Sequence, residues 1–213
     1  MNQTPDPRCL AAMEIFSLLA TCYSTPVPEL PKKIADTPGR LLPLGEDIAA
    51  QARQLAEALE GEDPQELLKD YSRLFVGPFE LLAPPFGSVY LDKGRVMMGD
   101  STREVLRHYR EAGMNMSDGF KSPPDHVVAE LEFLALQAYR TMEAETRGDP
   151  DSAREHADRL RNFFAAHPGR WLDRFASAVA QEAQTGFYRA LGRFTGHILP
   201  PLRAAMAPDT SRP

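Results

Sequence analysis

At 213 residues, 43% of them hydrophobic and 25% charged, the chain is long and apolar enough to bury a substantial core, which excludes disorder over most of its length. A formal net charge of −6 argues against a nucleic-acid partner, because phosphates require a basic face. The opening residues lack a basic region, a long apolar run and a small-residue cleavage site, so no secretory signal is read there. The apolar run that follows is broken by Glu14 and falls short of the about 18 residues of a spanning helix. A cytoplasmic protein without direct membrane insertion is expected.

Helical punctuation recurs along the chain. Residues 8–23 place Leu10, Met13, Phe16, Leu19 and Ala20 at three- and four-residue spacing, the pattern of an amphipathic helix. Cys9 and Cys22 both lie there, thirteen residues apart, too far for a disulfide within one helix. They read as small apolar core residues of a protein from a reducing compartment. A proline-rich connector follows to about Pro43. A second helix is expected over 45–60, with Ile48, Ala52, Leu55 and Leu59 inward. Asp63-Pro64 reads as an N-cap and first helical residue, opening a third helix striped by Leu67, Leu68, Tyr71, Leu74 and Phe75.

Residues 76–100 break the pattern with prolines and glycines among apolar and aromatic side chains, and at most a short hairpin fits 86–98. Ser101 and Glu104 have capping-box spacing for a helix to about Ala112, stopped by Gly113. A second loop, 113–124, leads into the longest helix, opened by Asp125-His126 and running to about Arg147, with Val127, Leu131, Leu134, Ala138 and Met142 inward. Further helices are expected at 150–165, 169–184 and 186–199, and a disordered tail from residue 207. The fold class is all-α: a single globular domain over 1–206, with about eight or more helices and two long loops suited to function.

Motifs of catalysis are missing. The five histidines stand far from one another in sequence, with no HExxH or Cys/His cluster, so no metal is expected. There is no GxSxG, phosphate loop or GxGxxG after a strand. The carboxylates of Glu130/Glu132 and Glu143/Glu145 are two residues apart, on different sides of a helix. A non-enzyme without cofactors is expected. What is unusual is the apolar loop, with Phe79, Leu81, Leu82, Phe86, Val89 and Tyr90 beside Met97 and Met98. It is either folded over the core or a surface for apolar partners.

The stretch DYSRLFVGPFELLAPPFGSVYLDKGRVMMGDST at 70–102 resembles the TorD/DmsD family of redox-enzyme maturation chaperones, its DmsD branch in particular. The run of motifs continues with Tyr109 and Gly113, Pro124-Asp125-His126, Trp171–Phe175 and Phe187–Leu191, so the resemblance covers about 65–195. It implies an all-helical cytoplasmic chaperone without enzymatic activity. Such a protein binds the twin-arginine signal peptide of a molybdopterin-containing oxidoreductase and delays export of the apo enzyme until cofactor insertion and folding are complete. The Tat translocase is a further partner the resemblance admits. The alternative within the wider superfamily is docking on the folded catalytic subunit of a nitrate-reductase-like enzyme. The resemblance assigns peptide binding to Tyr71, Leu74, Phe75, Phe86, Gly99, Asp125 and His126. Where DmsD commonly carries Trp, this chain has Tyr71, Phe79, Phe86 and Tyr90, which keeps ring chemistry in a reshaped groove. From the residues alone, Leu74 and Phe75 read first as core residues of an amphipathic helix, and Asp125 serves as an N-cap, His126 as a first-turn histidine and Gly99 as a turn residue.

Overall fold

The computed structural model describes residues 7–77, 81–94, 97–117 and 119–206; Phe79 and the tail from residue 207 lie outside them. Helix α1 (Pro7–Tyr23) buries Ile15, Phe16, Leu18, Leu19, Cys22 and Tyr23, whereas Leu10 is 40% exposed. The expected single stripe is therefore wrong for its second half, which is enclosed on nearly all sides. That composition suits a helix with neighbours all round.

The connector is not a loop either. It winds into α2 (Leu30–Ala35), α3 (Thr37–Arg40) and a 3-10 turn at Leu42–Leu44, each with proline in its first turn. Proline presets the helical φ and lacks the N–H that a first turn leaves unused, but it ends whatever precedes it. Three prolines thus make three short pieces instead of one helix.

Helix α4 (Glu46–Leu59) buries Ile48, Ala52, Leu55 and Leu59 as expected. Helix α5 (Pro64–Tyr71) starts where Asp63 accepts from the amide of Gln65 at 2.8 Å. It then widens into a π-turn, Ser72–Val76, closed by the amide of Gly77 on the carbonyl of Ser72 at 2.7 Å. The inserted residue rotates the stripe. Leu67, Leu74 and Phe75 are buried, while Leu68, expected inside, is 47% exposed.

After α6 (Gly87–Leu91) comes α7 (Asp100–Glu111), whose N-cap is Gly99 rather than Ser101. The expected capping box is replaced from outside the helix: Asp92 accepts from the hydroxyl of Ser101 at 2.9 Å and from its amide at 3.3 Å. Helices α8 (Val127–Arg147), α9 (Pro150–Ala166) and α10 (Pro168–Glu182) follow the expected punctuation, with Gly148 left-handed at the end of α8. Helix α11 (Gly186–Ala205) does not stop at 199 but continues through Pro200 and Pro201. Both prolines face solvent, Leu202 is buried, and the guanidinium of Arg203 donates to the carbonyl of Gly169 at 2.6 Å. Tertiary contacts thus hold a turn that proline would otherwise end.

Helix α8 packs against α1 and α9, α10 lies along α11, and α4 covers α11, around one apolar cluster. Among the described residues no strand forms; an isolated antiparallel bridge joins Phe86 to His126, and α6 takes the place of the expected hairpin. No helix there is long and apolar enough to cross a membrane.

Two polar contacts fix the layers. The hydroxyl of Tyr23 meets that of Thr195 at 2.8 Å, tying α1 to α11. Asp70, 2% exposed, accepts from the amides of Gln184 (2.9 Å) and Thr185 (2.8 Å) and from the Thr185 hydroxyl (2.9 Å), while its other oxygen pairs with Arg73 at 2.8 Å. A buried carboxylate is tolerable when both oxygens are bonded in this way.

The α10–α11 seam is close enough to be tested. A Cβ built on Gly192 falls 2.6 Å from the amide nitrogen of Ala180 and 2.7 Å from the carbonyl oxygen of Ala176. Gly192→Ala is expected to force the helices apart and destabilise by about 1–3 kcal/mol. Gly196→Ala, with nothing within 4 Å, is expected to stabilise by about 0.5–1 kcal/mol. Urea denaturation of both variants checks the contrast.

Candidate functional site

The apolar loop folds inward. From Ala83 to Val89 every residue is buried, because four backbone groups find partners in neighbouring elements. Ala83 donates to the carbonyl of Leu74 at 3.0 Å, Gly87 to the carbonyl of Asp125 at 2.9 Å, and Val127 to the carbonyl of Pro85 at 2.8 Å. The amide of Ser88 donates to Asp125 Oδ2 at 2.8 Å. Prolines 84 and 85 demand no amide partner, which makes burial of this segment affordable.

Asp125 itself is 0% exposed, and its Oδ1 has no partner among the described residues. It is not the N-cap of α8. That role belongs to His126, whose Nδ1 accepts from the amide of Val128 at 3.2 Å. An accepting Nδ1 requires a neutral ring protonated on Nε2. Burial pushes the His126 pKa down to about 4, against the pull of the Asp125 charge. The ring lies edge-on to Phe86 (5.4 Å) and Phe120 (5.8 Å).

One turn of helix deeper stands a residue that the sequence assigned no role beyond the pair Glu130/Glu132. Glu130, 1% exposed, accepts from the indole nitrogen of Trp171 at 3.0 Å, and its other oxygen has no partner among the described residues. Burial raises its carboxyl well above the usual carboxylate range, opposed by the Trp171 bond and reinforced by the Asp125 charge. Tyr90 stacks on Trp171 at 5.4 Å, and the guanidinium of Arg174 sits 5.5 Å over the Tyr90 ring while donating to its carbonyl at 2.7 Å. Glu130 was legible: it occupies the apolar stripe between Val127 and Leu134, where a charge is out of place. Asp70 carries the same signal between Leu67 and Leu74.

The structure places Tyr71, Leu74 and Phe75 in an aromatic nest. Phe75 lies 5.3 Å from Tyr71, 5.6 Å from Tyr188 and 5.9 Å from Phe175. Leu74 is fully buried, Phe75 5% exposed and Tyr71 half-buried. Phe175 touches both Phe75 and Tyr90, so the nest and the Asp125–Glu130 group share a wall. Gly99 lies apart from both, at the start of α7. A Cβ there would fall 2.1 Å from Asp92 Oδ2, so only glycine leaves Asp92 free to cap Ser101. Beside it Met98 is 66% exposed at φ 60, a conformation uncommon outside glycine. Among the described residues no group of three or more His, Cys, Asp or Glu could hold a metal ion.

This is an all-helical protein with an acidic, aromatic site closed under a proline-rich segment, and known proteins share its plan. A family model described as the nitrate reductase delta subunit matches residues 43–177. The Tat proofreading chaperone DmsD of Salmonella typhi is 32% identical over 157 residues, 70% of each chain. The chaperone protein TorD of Aliivibrio salmonicida is 28% identical over 152 residues, 71% of this chain and 69% of that one. A solved structure described as a putative redox enzyme maturation protein, from Archaeoglobus fulgidus, superposes with a TM-score of 0.56 at 22% identity, covering 88% of this chain and 93% of that one. The chain belongs to the TorD/DmsD family of redox-enzyme maturation chaperones. The family model begins at residue 43, within the region the motif resemblance left out, and ends before the Phe187–Leu191 motif.

The His126 environment makes a measurable prediction. The unfolded side chain titrates near 6.5 and the folded one near 4, so protons between these values bind the unfolded chain preferentially. The stability tied to neutral His126 is full at pH 7 and lost as the pH falls through 6.5 toward 4. His126→Asn keeps an N-cap but cannot titrate. Between pH 7 and pH 5 the wild type is expected to lose about 2 kcal/mol more than this variant, read from urea midpoints at the two pH values.

Proposed function

We propose that this chain is a cytoplasmic, non-catalytic chaperone that binds the twin-arginine signal peptide of a molybdopterin-containing oxidoreductase. It holds the apo enzyme back from export until cofactor insertion and folding are complete, and hands it on toward the Tat translocase. The observation that carries the reading is the buried carboxylate of Asp125, one of whose oxygens has no partner among the described residues, beneath a segment held by a handful of hydrogen bonds. A twin-arginine leader offers what such a site needs: guanidinium groups for the carboxylates and an apolar stretch for the rings. The relatives named as Tat proofreading chaperones support the same reading.

In this mechanism the leader competes for contacts the chain makes with itself. A leader arginine takes the free Oδ1 of Asp125. Displacing residues 85–88 gives it the second oxygen, now occupied by the amide of Ser88. A bidentate charged pair is stronger than the neutral-donor bond it replaces. The apolar part of the leader follows onto Phe86, Leu74 and Phe75, with Tyr71 at the half-open edge. His126 serves as a neutral donor through Nε2, and Gly99 keeps the Asp92 cap that anchors the far end of the loop. Ordering a disordered peptide and opening the segment both cost free energy, which leaves affinity reversible, at about micromolar Kd.

The match to a nitrate reductase delta subunit model favours a second reading, docking on a folded catalytic subunit. Calorimetry separates the two. Isolated leaders of molybdopterin oxidoreductases from the same genome are expected to bind without the rest of the enzyme. Asp125→Asn is expected to weaken that binding by about 1–3 kcal/mol, and to leave folding nearly unchanged because Asn still accepts from Ser88. Heat from the folded subunit alone, and none from any leader, would establish the second reading instead.

A further inference from the structure

Leu74, Phe75, Phe86, Asp125 and His126 are all closed to solvent, so a peptide that ends there must first find a surface that is already open. One lies next to them. Between Met114, Met116 and Phe120 on one wall and Ala129, Phe133 and Leu136 of α8 on the floor runs a groove of about 530 Å³, a volume typical of ligand sites. The floor residues are spaced four and three apart, so they share one face of α8. Alanine at 129 leaves the furrow between the larger side chains. The wall is continuous with the closed site: Phe120 touches the His126 ring at 5.8 Å, and Tyr109, in the same groove, donates to the carbonyl of Pro124 at 3.0 Å.

At the edge of this groove stands Glu132. It lines both the apolar groove and a second recess of about 390 Å³, walled by hydroxyls of Ser17, Thr21 and Ser24 and bounded by Lys33. Among the described residues no cation or hydrogen-bond donor meets its carboxylate, and Lys33 makes no ion pair with it. This contrasts with Glu66, Glu143 and Glu155, each paired with a basic side chain three or four residues on. Partial burial alone raises the Glu132 carboxyl above its usual range, so a cation placed beside it would be stabilised. An apolar trough that ends at an unpaired carboxylate suits a peptide whose basic residue adjoins an apolar stretch.

We propose that the groove between α8 and the Met114–Met116–Phe120 wall is the open docking surface for the leader, with a basic side chain on Glu132 and the adjoining apolar residues against the methionines. This rests on the peptide-binding reading above and adds a first, exposed station to it. Methionine suits the role because its flexible side chain adapts to leaders of different sequence. Once docked, the peptide lies alongside Phe120 and therefore next to His126.

The test uses full-length protein and a fluorescently labelled twin-arginine leader, with binding read by anisotropy at low salt. Glu132→Gln is expected to weaken binding about fivefold, and Glu132→Lys about tenfold or more, because an exposed ion pair is lost or reversed. Met116→Asp is expected to weaken the intact leader about tenfold, but not a leader truncated after its basic residues. Glu143→Lys, on the same helix away from the groove, is the control for net charge and is expected to change nothing. Unaltered far-UV circular dichroism checks folding. A leader bound by wild type and equally well by the Glu132 and Met116 variants overturns the groove and leaves Asp125 as the receptor. No binding by wild type overturns both the groove and the proposed function. A change in oligomeric state in the Glu132→Lys variant, with leader affinity intact, assigns the surface to a second copy of the chain and likewise overturns the proposal.

Discussion

A carboxylate with no cation beside it among the described residues, sealed inside a helical protein, is the constraint on which the rest of this structure turns. Asp125 has lost its water and recovers one hydrogen bond, from the amide of Ser88. That bond draws in the proline-rich segment, and the segment in turn carries Tyr90 onto Trp171 and Phe86 onto His126. Trp171 reaches across from α10 to Glu130, the second buried acid. The inner ends of α8 and α10 are therefore joined through a polar pair, and α6 to α10 through an aromatic stack, not by aliphatic packing alone. Remove the charge at 125 and the chain keeps its helices but has no reason to leave an acceptor unfilled.

Such an arrangement is costly for stability and useful for exchange. A half-satisfied buried polar group is less stable than either an apolar core or a complete network. It persists here under a cover held by four hydrogen bonds and ring contacts, a local unit that opens at lower cost than the core. Elsewhere in the core Tyr23 and Thr195 meet and Asp70 is bonded on both oxygens, while the ring nitrogens of His167 and the hydroxyl of Tyr188 are buried without a partner among the described residues.

The match to the nitrate reductase delta subunit model takes in this same region. The match spans 43–177 and so includes the covering segment, both buried acids and Trp171, while α11 lies outside it. Helix α11 nevertheless contributes Tyr188 to the ring nest, and the Gln184-Thr185 turn that leads into it supplies the amides that satisfy Asp70. It supports a site to which it adds no exposed group. Rings smaller than Trp at 71, 86 and 90 leave the nest aromatic, with the one indole of the chain placed instead at 171.

Much was legible in the sequence because it depends on neighbours along the chain. Periodicity marked α4, α8, α9 and α10, and the caps at Asp63 and Gly148 were read from residues a few positions away. The resemblance brought Asp125, His126 and Phe86 together, and the structure makes them neighbours, joined by a β-bridge and a ring contact. What the sequence could not decide were matters of which distant group arrives. Ser101 is capped by Asp92 rather than by its own box, His126 caps α8 while Asp125 is taken by the distant amide of Ser88, and α11 runs on through two prolines because Leu202 and Arg203 are held by other helices. Local propensity sets where a helix prefers to begin and end, at about 1 kcal/mol per cap. Burial and a well-placed hydrogen bond from elsewhere are worth as much or more, so at every such boundary the tertiary partner decided.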